Sequence, residues 1–586
     1  MLLSTNLADA MEGADSKSAV YDFISGNTTL LNCVLLLLTV LVLYLLYEIN
    51  KSPSCAPPTI WGLPLVGNLL QLGPTPHLGL TKIGKNLGEV FSLRLGSWDV
   101  LVINSLNAAK DAFVENSAHF SSPSTIRFPA FRWRSFVLCF FWRLQSTAAK
   151  RTIIFPLSLQ IQRKKALLKV FHQAILTNPD HLNHILLLET ARMKKRLQET
   201  RASLFDPRET LKLVVSRLVF RLTFGGPVGE EEENGLTNLF EQARKFQKEA
   251  NIGILADFMP WLRFALRGPV SKMVDTVEVL VGFVRKSYRQ RKENYKTEAA
   301  EFCVARAITA YVASERSQLA KKTKEKFSRL STLGEENARQ GGKGDSSLGK
   351  EEERPADLER GKDEEDVFGI NKDEDDAIEN QVVTMLSPDV MGAGTENIAS
   401  TFSWALAFIS SYEELQRDLH DEIDTVIGKN REPRIQDKQR MPLMQATILE
   451  TLRLSSAVPM GLPHYCIKES VVKGYTVAKG TIVLTNIWGI NHDDRHFSHS
   501  YCFEPYRFLD ASGTLRGDRC SLAMTFSIGP RSCAGNAVTK TVLFFLIASV
   551  LQKFEVHSTE DLTTLEAMPG PVRSPEAFQL RFCPRE

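Results

Sequence analysis

A ten-residue loop near the carboxyl end of the chain restricts its structure more than any other segment. Its fixed points are, in order, Phe526, Gly529, Arg531, Cys533 and Gly535. A helical pattern follows at once, over about 534–553, and the start of a helix presents unpaired N–H groups and partial positive charge, which lower the pKa of a cysteine. The glycines let the loop turn and let a flat group approach, the phenylalanine can shield the sulfur, and the arginine can neutralise an anion. The residues alone predict an activated or metal-bound cysteine.

This loop resembles the haem-binding signature of the cytochrome P450 family, Phe-x-x-Gly-x-Arg-x-Cys-x-Gly, at the expected distance from the carboxyl terminus. The resemblance implies that Cys533 is the axial thiolate ligand of the iron in haem b, with Phe526, Gly529, Arg531 and Gly535 as cofactor-binding residues. Thiolate ligation donates electron density to iron and favours cleavage of the O–O bond. The alternative, a structural cysteine in a turn, is much weaker.

A second match is an acid–base pair at helical spacing. Glu450 and Arg453 lie on one face of a predicted helix, where such a pair alone would be an ordinary surface contact. In the family that the chain resembles, this Glu-x-x-Arg pair is buried and structural, and an arginine in a Phe-x-Pro-x-Arg-Phe element completes it. Arg507 stands at that position. We predict one structural group, because a buried ion pair with a third partner is satisfied.

A third match departs from the family at one position. Ala393, Gly394 and Glu396 fit the pattern Ala/Gly-Gly-x-Asp/Glu-Thr, and Asn397 replaces the threonine. In the family, the glycine lets the helix open around dioxygen, and the acid and hydroxyl order water for proton delivery. The amide of Asn397 can hold a water but cannot relay a proton as a hydroxyl does. We predict these four as catalytic residues and expect either uncoupled or slowed monooxygenation, or a peroxide rearrangement that needs no dioxygen.

The residues expected at the haem propionates match less well. His464 corresponds to a family position whose basic side chain reaches a propionate. The family motif Trp-x-x-x-Arg lacks its tryptophan here, and Arg163 or Lys164 remain as candidates for a propionate contact. Just upstream, residues 131–156 form an unusual segment that is either a divergent substrate-contacting loop or an error at an exon edge.

The amino-terminal part predicts a membrane anchor. Leu30–Tyr47 is an uncharged apolar stretch of 18 residues, long enough to span a membrane and longer than the core of a signal peptide. Acidic residues precede it and most basic residues follow it, which favours a cytosolic body. We predict a lumenal tail over 1–29, an anchor over 30–48, a proline-rich hinge over 49–68 and a catalytic domain over 69–586. The alternative for the apolar stretch is a buried core helix.

Composition places the body of the chain among ordinary globular proteins. The 586 residues are 43% hydrophobic and 24% charged, which excludes collagen-like and wholly disordered chains. The net charge of +3 is too near neutral to argue for a nucleic-acid partner. Nine cysteines without a Cys-x-x-Cys pair favour a reducing compartment over a disulfide framework.

Helical periodicity dominates the remaining sequence. We predict a hairpin over 90–103, largely helical structure over 160–325, helices over 381–412, 413–426 and 441–454, and strands over 471–490. Residues 331–380 differ, because 24 of these 50 are charged and the segment cannot bury enough apolar surface to order itself. We predict a disordered insertion over about 325–378. The predicted fold class is α+β, mainly α, with small β-sheets.

Together these features predict a haem-thiolate monooxygenase of the endoplasmic reticulum membrane, closest to animal microsomal members of the family. It would insert one oxygen atom from dioxygen into a small lipophilic substrate of steroid or xenobiotic type. The resemblance implies electrons from NADPH through cytochrome P450 reductase, with cytochrome b5 as a further partner, docking on a basic face that includes Lys540 and residues 163–165. Two alternatives remain: an isomerase or dehydratase of the same fold that needs no dioxygen, and an inactive paralogue or faulty gene model.

Overall fold

The computed structural model describes most of the predicted catalytic domain. The described residues are 55–121, 178–253, 265–296, 303–318, 373–568 and 570–585, with the single positions 32, 35, 36, 38, 39, 259 and 321. The predictions for Arg163, Lys164 and 131–156, and most of those for the anchor and the acidic insertion, lie outside them. Among the described residues, no helix combines the length and apolar character that crossing a membrane requires.

Helices make up most of this structure, as the periodicity predicts. They are α1 (Leu69–Leu72), α2 (Pro76–Leu87), α3 (Leu106–Lys110), α4 (Pro179–Glu199), α5 (Arg208–Phe224), α6 (Glu230–Gly253), α7 (Arg267–Lys292), α8 (304–318), α9 (Asp373–Leu386), α10 (Ala393–Ser411), α11 (Glu413–Val426), α12 (Pro442–Ser455), α13 (Ile487–Asn491), α14 (Gly517–Cys520) and α15 (Asn536–Leu551). Short 3-10 turns lie at Glu293–Lys296, Ile435–Arg440, Pro505–Phe508, Gly529–Arg531 and Leu562–Thr564, and π-helical turns at Asp111–Glu115 and Ser387–Gly392.

The strands form one mixed sheet and two small ribbons. They are β1 (Val90–Leu95), β2 (Trp98–Ile103), β3 (Phe120–Ser121), β4 (His464–Cys466), β5 (Ser470–Val472), β6 (Tyr475–Val477), β7 (Ile482–Thr485), β8 (Phe554–His557) and β9 (Arg581–Pro584). The five-stranded sheet has the order β1-β2-β7-β4-β3, with β2 and β7 parallel and the other neighbours antiparallel. The predicted hairpin is confirmed, and its register pairs Val90 with Ile103 and Leu95 with Trp98.

The main core surrounds two apolar helices. Helix α10 packs against α5, α12 and α15, and most of its residues from Ile398 to Ser410 are buried. Helix α15 is apolar on nearly all sides and is buried from Thr541 to Leu551, as a helix at the centre of a large core must be. This arrangement places the loop that precedes α15 and the amino-terminal end of α10 beside the same core.

Two predicted boundaries are wrong. The predicted strands at 471–490 end at Thr485, and the short helix α13 follows, because the side chain of Asn486 accepts a hydrogen bond from the N–H of Gly489 and caps a helical turn. The predicted disorder to residue 378 is also wrong for its last residues, since α9 begins at Asp373.

Two interactions explain why acidic residues are helical at the start of α9. Its first turn is rich in aspartate and glutamate, and negative charge at a helix amino terminus is stabilising. Tertiary ion pairs add to this effect: Lys292 lies 3.1 Å from Asp375, and Arg289 lies 2.8 Å from the buried carboxylate of Glu379. Composition alone does not show these partners, because they come from α7.

The predicted proline-rich hinge is packed on the sheet over its described part. The N–H of Ser92 in β1 donates to the carbonyl of Pro58 at 2.8 Å. The buried Asn68 bonds to the backbone of Arg94 twice, through its N–H at 2.6 Å and through its Oδ1 at 2.8 Å. These contacts fix the direction in which the chain leaves the sheet towards the amino terminus.

The buried His492 and the partly buried His77 are kept neutral by their surroundings. The ring of His492 stacks on Trp488 at 3.6 Å between centroids, and His77 meets the same indole edge-on at 5.1 Å. Burial, together with the charge of Arg453, lowers the pKa of His492 to about 3. Burial, together with the charge of Arg573, lowers the pKa of His77 to about 4.

These histidines predict a loss of stability in weak acid. In the unfolded chain both titrate near 6.5, so below that pH the unfolded state binds more protons and the free energy of unfolding falls until about pH 4 for His77 and about pH 3 for His492. We expect each to cost about 2 kcal/mol at pH 5. Denaturant unfolding at pH 8 and at pH 5 measures this loss of stability. The variant His492→Phe keeps a ring stacked on Trp488 but removes a titrating group, so the free energy of unfolding should differ less between the two pH values than in the wild type. An equally large difference in the variant would show that His492 does not contribute to the loss.

Candidate active site

The predicted thiolate loop folds as a tight turn that ends beside helix α15. The N–H of Cys533 donates to the carbonyl of Phe526 at 2.8 Å, and the N–H of Ser532 donates to the carbonyl of Gly529 at 3.0 Å. The expectation that the helix starts at residue 534 is wrong by two residues, because α15 begins at Asn536. The Sγ of Cys533 lies 3.7 Å from where a Cβ on Gly535 would stand, and the cysteine is exposed on the protein surface.

A residue that no motif contains joins the loop to the sheet. The ring of Phe113, in the π-helical turn after α3, lies 4.3 Å from the ring of the buried His464. The carbonyl of Phe113 lies against Gly529, only 2.0 Å from where a Cβ would stand. Phe113 thus brings together two predicted cofactor-binding positions, His464 on β4 and the loop. Sequence reasoning missed it, because a lone phenylalanine far from both carries no signal.

Gly529 is therefore expected to tolerate no side chain. Its φ of +77° is a left-handed conformation, and an added Cβ would clash with the Phe113 carbonyl. We expect Gly529→Ala to lower the free energy of unfolding by at least about 1–3 kcal/mol and to reduce haem content. Thermal unfolding and the ratio of haem to protein absorbance measure both. Gly517→Ala is the matched control, since nothing lies within 4 Å of its Cβ position. If Gly529→Ala and Gly517→Ala had the same stability and the same haem content, the close contact of Gly529 with Phe113 would not matter.

The loop also carries a cation suited to a propionate. Arg531 is half-buried, and among the described residues no carboxylate pairs with it. Burial without such a partner lowers the pKa of its guanidinium, so an anion beside it would be strongly favoured. An exposed thiol on a glycine turn, an arginine without a carboxylate and a nearby buried histidine fit the thiolate and propionate contacts of a haem.

The predicted structural group is assembled as one buried cluster. Arg453 and Glu450 are fully buried and form two parallel hydrogen bonds of 2.7 Å each. Arg507 donates to the same carboxylate at 3.1 Å, and the N–H of Glu504 donates to it at 2.9 Å. Arg453 also donates to the carbonyls of Asn491, Ser500 and Cys502. The cluster thereby ties α12 to the chain that leads into the thiolate loop.

The helix of the third motif is interrupted just where that motif begins. Between α9 and α10, residues Ser387–Gly392 form a π-helical turn, a widening that often marks functional sites. Within α10, the side-chain N–H of Asn397 donates to the carbonyl of Ala393 at 2.9 Å. Its Oδ1 is buried and accepts no hydrogen bond from the described residues. A Cβ on Gly394 would make only ordinary contact with Val219, so the protein itself does not require glycine there.

The acid of this motif is held by a lysine that sequence reasoning missed. Lys212 of α5 lies 2.6 Å from the carboxylate of Glu396, and the hydroxyl of Ser574 donates to that carboxylate at 3.3 Å. The ammonium of Lys212 also lies over the ring of Phe240 in α6, 5.2 Å from its centroid. No local signal could identify Lys212, because only the packing of α5 on α10 brings the two residues together.

One lysine lies beside the thiolate loop, and a second lies close to the first. The ammonium of Lys540, one of the predicted docking residues, lies 5.5 Å from the ring centroid of Phe526. Burial lowers the pKa of Lys540, and burial together with the nearby Lys540 lowers the pKa of Lys438 to about 8. Positive charge therefore lies close to the loop, although both side chains are partly covered.

Comparison with known proteins agrees with this geometry. The model of the family described as Cytochrome P450 matches residues 57–340 and 346–582. The chain is 27% identical over 507 residues to cytochrome P450 1A1 of Rattus norvegicus, a match that covers 86% of this chain and 84% of the relative. It is 26% identical over 508 residues to cytochrome P450 1A2 of Canis lupus familiaris, covering 85% and 86%, and 28% identical over 509 residues to cytochrome P450 1A1 of Mesocricetus auratus, covering 85% and 84%.

The family match spans both the thiolate loop and the helix of Glu396, which lie at opposite ends of the second matched segment. Members of this family bind haem as iron protoporphyrin IX, and the residues around Cys533 fit that group. The predictions of family, cofactor and enzyme class are confirmed. The chain belongs to the cytochrome P450 family and is a haem-thiolate monooxygenase.

Proposed function

We propose that this enzyme oxidises a small lipophilic substrate of steroid or xenobiotic type, with electrons from NADPH delivered by cytochrome P450 reductase. The observation that carries the proposal is the thiolate loop with Cys533 and Arg531, which contacts Phe113 at Gly529, while the ring of Phe113 lies against His464. Similarity to animal cytochromes P450 1A and the apolar stretch Leu30–Tyr47 support a microsomal setting. In this proposal, residues 30–48 anchor the chain in the endoplasmic reticulum membrane and 69–586 form the cytosolic catalytic domain.

Each side chain of the site has a distinct task in this proposal. Cys533 holds the haem iron, and Arg531 and His464 neutralise its propionates. When bound, the haem activates dioxygen, so that one oxygen atom enters the substrate and the other leaves as water. One N–H of the Asn397 side chain donates to the Ala393 carbonyl, and its Oδ1 accepts no hydrogen bond from the described residues. Asn397 can therefore hydrogen-bond a water molecule, but an amide does not release a proton and so cannot relay one as a hydroxyl does.

Glu396 is the acid of the proton path in this proposal. Its carboxylate is paired with Lys212 and accepts a hydrogen bond from Ser574, so accepting a proton from solvent costs the attraction between the carboxylate and the Lys212 ammonium. Both Lys212 and Glu396 are about one-fifth exposed, which gives water access to the pair. Proton delivery is thus expected to be slower than in a site where a hydroxyl stands at position 397.

Asn397→Thr is expected to improve coupling. A threonine hydroxyl both accepts and donates, and should raise the ratio of product formed to NADPH consumed by roughly 2- to 10-fold. The measurement is product and NADPH in one reaction, with peroxide release as the complement. Asn397→Ala is the control, since it removes the amide without adding a hydroxyl, and it should not improve the ratio. An unchanged ratio in the threonine variant would show that Asn397 does not limit coupling.

The electron donor is expected to dock near the thiolate loop. The ammonium of Lys540 lies over the ring of Phe526, and Lys438 adds a second positive charge close to Lys540. A reductase surface rich in carboxylates would be complementary to it, and such steering weakens as salt screens the charges. The same reasoning applies to cytochrome b5 as a second donor.

A reduced carbon monoxide spectrum and a turnover assay test the whole proposal. The full chain, reconstituted with haem, should show a strongly red-shifted Soret band, the mark of thiolate ligation. It should then oxidise a lipophilic substrate only when reductase and NADPH are both present. A red-shifted band, together with turnover of an organic peroxide and no turnover with NADPH and reductase, would favour the isomerase or dehydratase alternative. An unshifted band would favour the inactive one.

A further inference from the structure

A partly buried arginine near the carboxyl end of the chain has no counter-charge. The guanidinium of Arg573 pairs with no carboxylate among the described residues, and its Nη1 donates a hydrogen bond to the carbonyl of Ser455. Burial lowers the pKa of this guanidinium to about 10, and no neighbouring carboxylate opposes the effect. A cation in such surroundings is stabilised when an anion binds beside it.

Two tryptophans enclose this guanidinium. Its Cζ lies 4.0 Å from the ring centroid of Trp488 and 5.9 Å from that of Trp404. Aromatic faces attract a cation, but this attraction replaces only part of the hydration that the guanidinium loses. The nearby rings of His77 and His492 have pKa values of about 4 and about 3, so both are neutral at physiological pH. The surroundings of Arg573 thus hold the cation in place without neutralising it.

A second hydrogen-bond donor without a partner lies beside the arginine. Trp488 is buried, and its Nε1–H donates to no acceptor among the described residues. The guanidinium of Arg573 has further N–H groups besides the one bonded to Ser455. Donors without an acceptor are what a carboxylate requires, and the uncompensated charge favours an anionic acceptor over a neutral one.

The backbone holds Arg573 between helix α10 and the segment that precedes β4. Its carbonyl accepts a hydrogen bond from the hydroxyl of Ser400 at 2.9 Å, and its N–H donates to the carbonyl of Ala457 at 2.8 Å. Ser400 lies about one helical turn after Glu396 on α10. The next residue, Ser574, donates to the carboxylate of Glu396 at 3.3 Å. Arg573 is therefore fixed relative to the turn of α10 that carries the proposed proton path.

We propose that Arg573 is a specificity-determining residue that binds the carboxylate of a lipophilic acid, with the N–H of Trp488 as a second donor. The planar fork of a guanidinium matches the two oxygens of a carboxylate. The side chain is only partly buried, which leaves it open to a ligand. Because Arg573 is tied to α10, the bound acid is oxidised at a position set by its distance from the carboxylate. This inference names the substrate class of the proposed function and rests on it.

Binding of dodecanoate and of dodecanamide to the haem-loaded full chain tests the proposal. The two ligands share the apolar tail and a planar head group, but only dodecanoate is charged. We expect the wild type to bind dodecanoate at least about tenfold more tightly, measured by equilibrium dialysis with labelled ligand. Because this comparison uses the wild type, it does not depend on the folding of any variant.

Variants of Arg573 assign the preference to this side chain. Arg573→Met should reduce the preference for dodecanoate to about twofold or less and leave the affinity for dodecanamide nearly unchanged. Arg573→Lys should keep part of the preference, because lysine retains the charge but not the fork. Arg516→Met is the matched control, since it removes one positive charge from a largely exposed pair with Asp518. The carbon monoxide spectrum of each protein verifies the fold.

The position of oxidation gives a second measurement. With a series of saturated acids of increasing length, the wild type should oxidise the same carbon counted from the carboxylate. Arg573→Met should give a mixture of positions instead, because the head group is no longer held. Mass spectrometry of the products measures both. A purely structural role of Arg573 would change the amount of folded protein and not the position of oxidation.

The outcomes separate this inference from the proposed function. Equal affinity of the wild type for dodecanoate and dodecanamide overturns the carboxylate site and leaves the proposed function standing. A preference that is unchanged in Arg573→Met also overturns it, since another group would then bind the carboxylate. Displacement of dodecanoate by an equal concentration of acetate would show that the site holds a free small anion and not the substrate. A wild type without NADPH-dependent turnover overturns the proposed function, and dialysis still decides whether Arg573 binds a carboxylate.

Discussion

Replacing Cys533 with alanine is expected to abolish monooxygenase activity and the red-shifted carbon monoxide band. The sulfur of Cys533 is the thiolate ligand that the loop offers to iron, and the guanidinium of Arg531 in the same loop offers only charge and hydrogen bonds. Retained haem would then lack the electron donation that favours O–O cleavage. We expect turnover to fall by about a thousandfold or more. Reduced carbon monoxide spectra and product formation measure the two effects.

Cys502→Ala is the matched control for this variant. Cys502 is also exposed, and its known role is to accept hydrogen bonds through its backbone carbonyl, which the substitution keeps. Its spectrum and turnover should equal those of the wild type. Turnover that survives in Cys533→Ala would contradict the assignment of the thiolate, whatever the control shows.

The second large effect is expected at Glu450. The variant Glu450→Gln leaves the fully buried Arg453 without a counter-charge and replaces one of the two acceptor oxygens of the cluster by an NH2 group, which cannot accept a hydrogen bond. Breaking a buried ion pair in this way costs about 3–5 kcal/mol, because one charge remains buried and unpaired. That is a large part of the stability of a typical domain, so little folded, haem-loaded protein should be recovered.

The yield of haem-loaded protein and its denaturant midpoint measure this effect. Asp518→Asn is the control, since its pair with Arg516 is largely exposed and such pairs contribute about 0–1 kcal/mol. A double change, Glu450→Met with Arg453→Leu, removes both fully buried charges and leaves only the partly exposed Arg507 without its carboxylate, so it should cost less stability than Glu450→Gln. If Glu450→Gln were as stable as Asp518→Asn, the cluster would not be structural.

The Glu450 cluster and the thiolate loop are linked through the chain between them. Arg453 donates to the carbonyl of Asn491, and the side-chain oxygen of Asn491 accepts from the N–H of Met524, two residues before the thiolate loop. Loss of the Glu450 cluster should therefore disturb the loop as well as the fold. The variant Asn491→Ala keeps the backbone carbonyl that Arg453 uses, but it removes the acceptor of the Met524 N–H and the side-chain hydrogen bond to Ser456, so we expect it to lower both haem content and stability.

Local sequence determined the elements and the chemical groups of this protein. Apolar periodicity predicted the hairpin and most helices, because burying one face requires that spacing. The residues of the thiolate loop predicted a turn followed by a helix, and the resemblance to a family assigned Cys533 its iron. The prediction of disorder is wrong for the last residues of the acidic segment, because charge density alone cannot show that α7 supplies the counter-charges for α9.

Only the tertiary structure decided which distant residues meet. Lys212 pairs with Glu396, and Phe113 contacts both His464 and Gly529. These residues are too far apart along the chain for any local sequence pattern to predict the contacts. The hydrogen bond from the Asn397 amide to Ala393 and the position of Arg573 between two tryptophans likewise depend on three-dimensional placement. The physical reason is that periodicity and turn chemistry act over a few residues, whereas ion pairs, desolvation and close packing depend on distance in space.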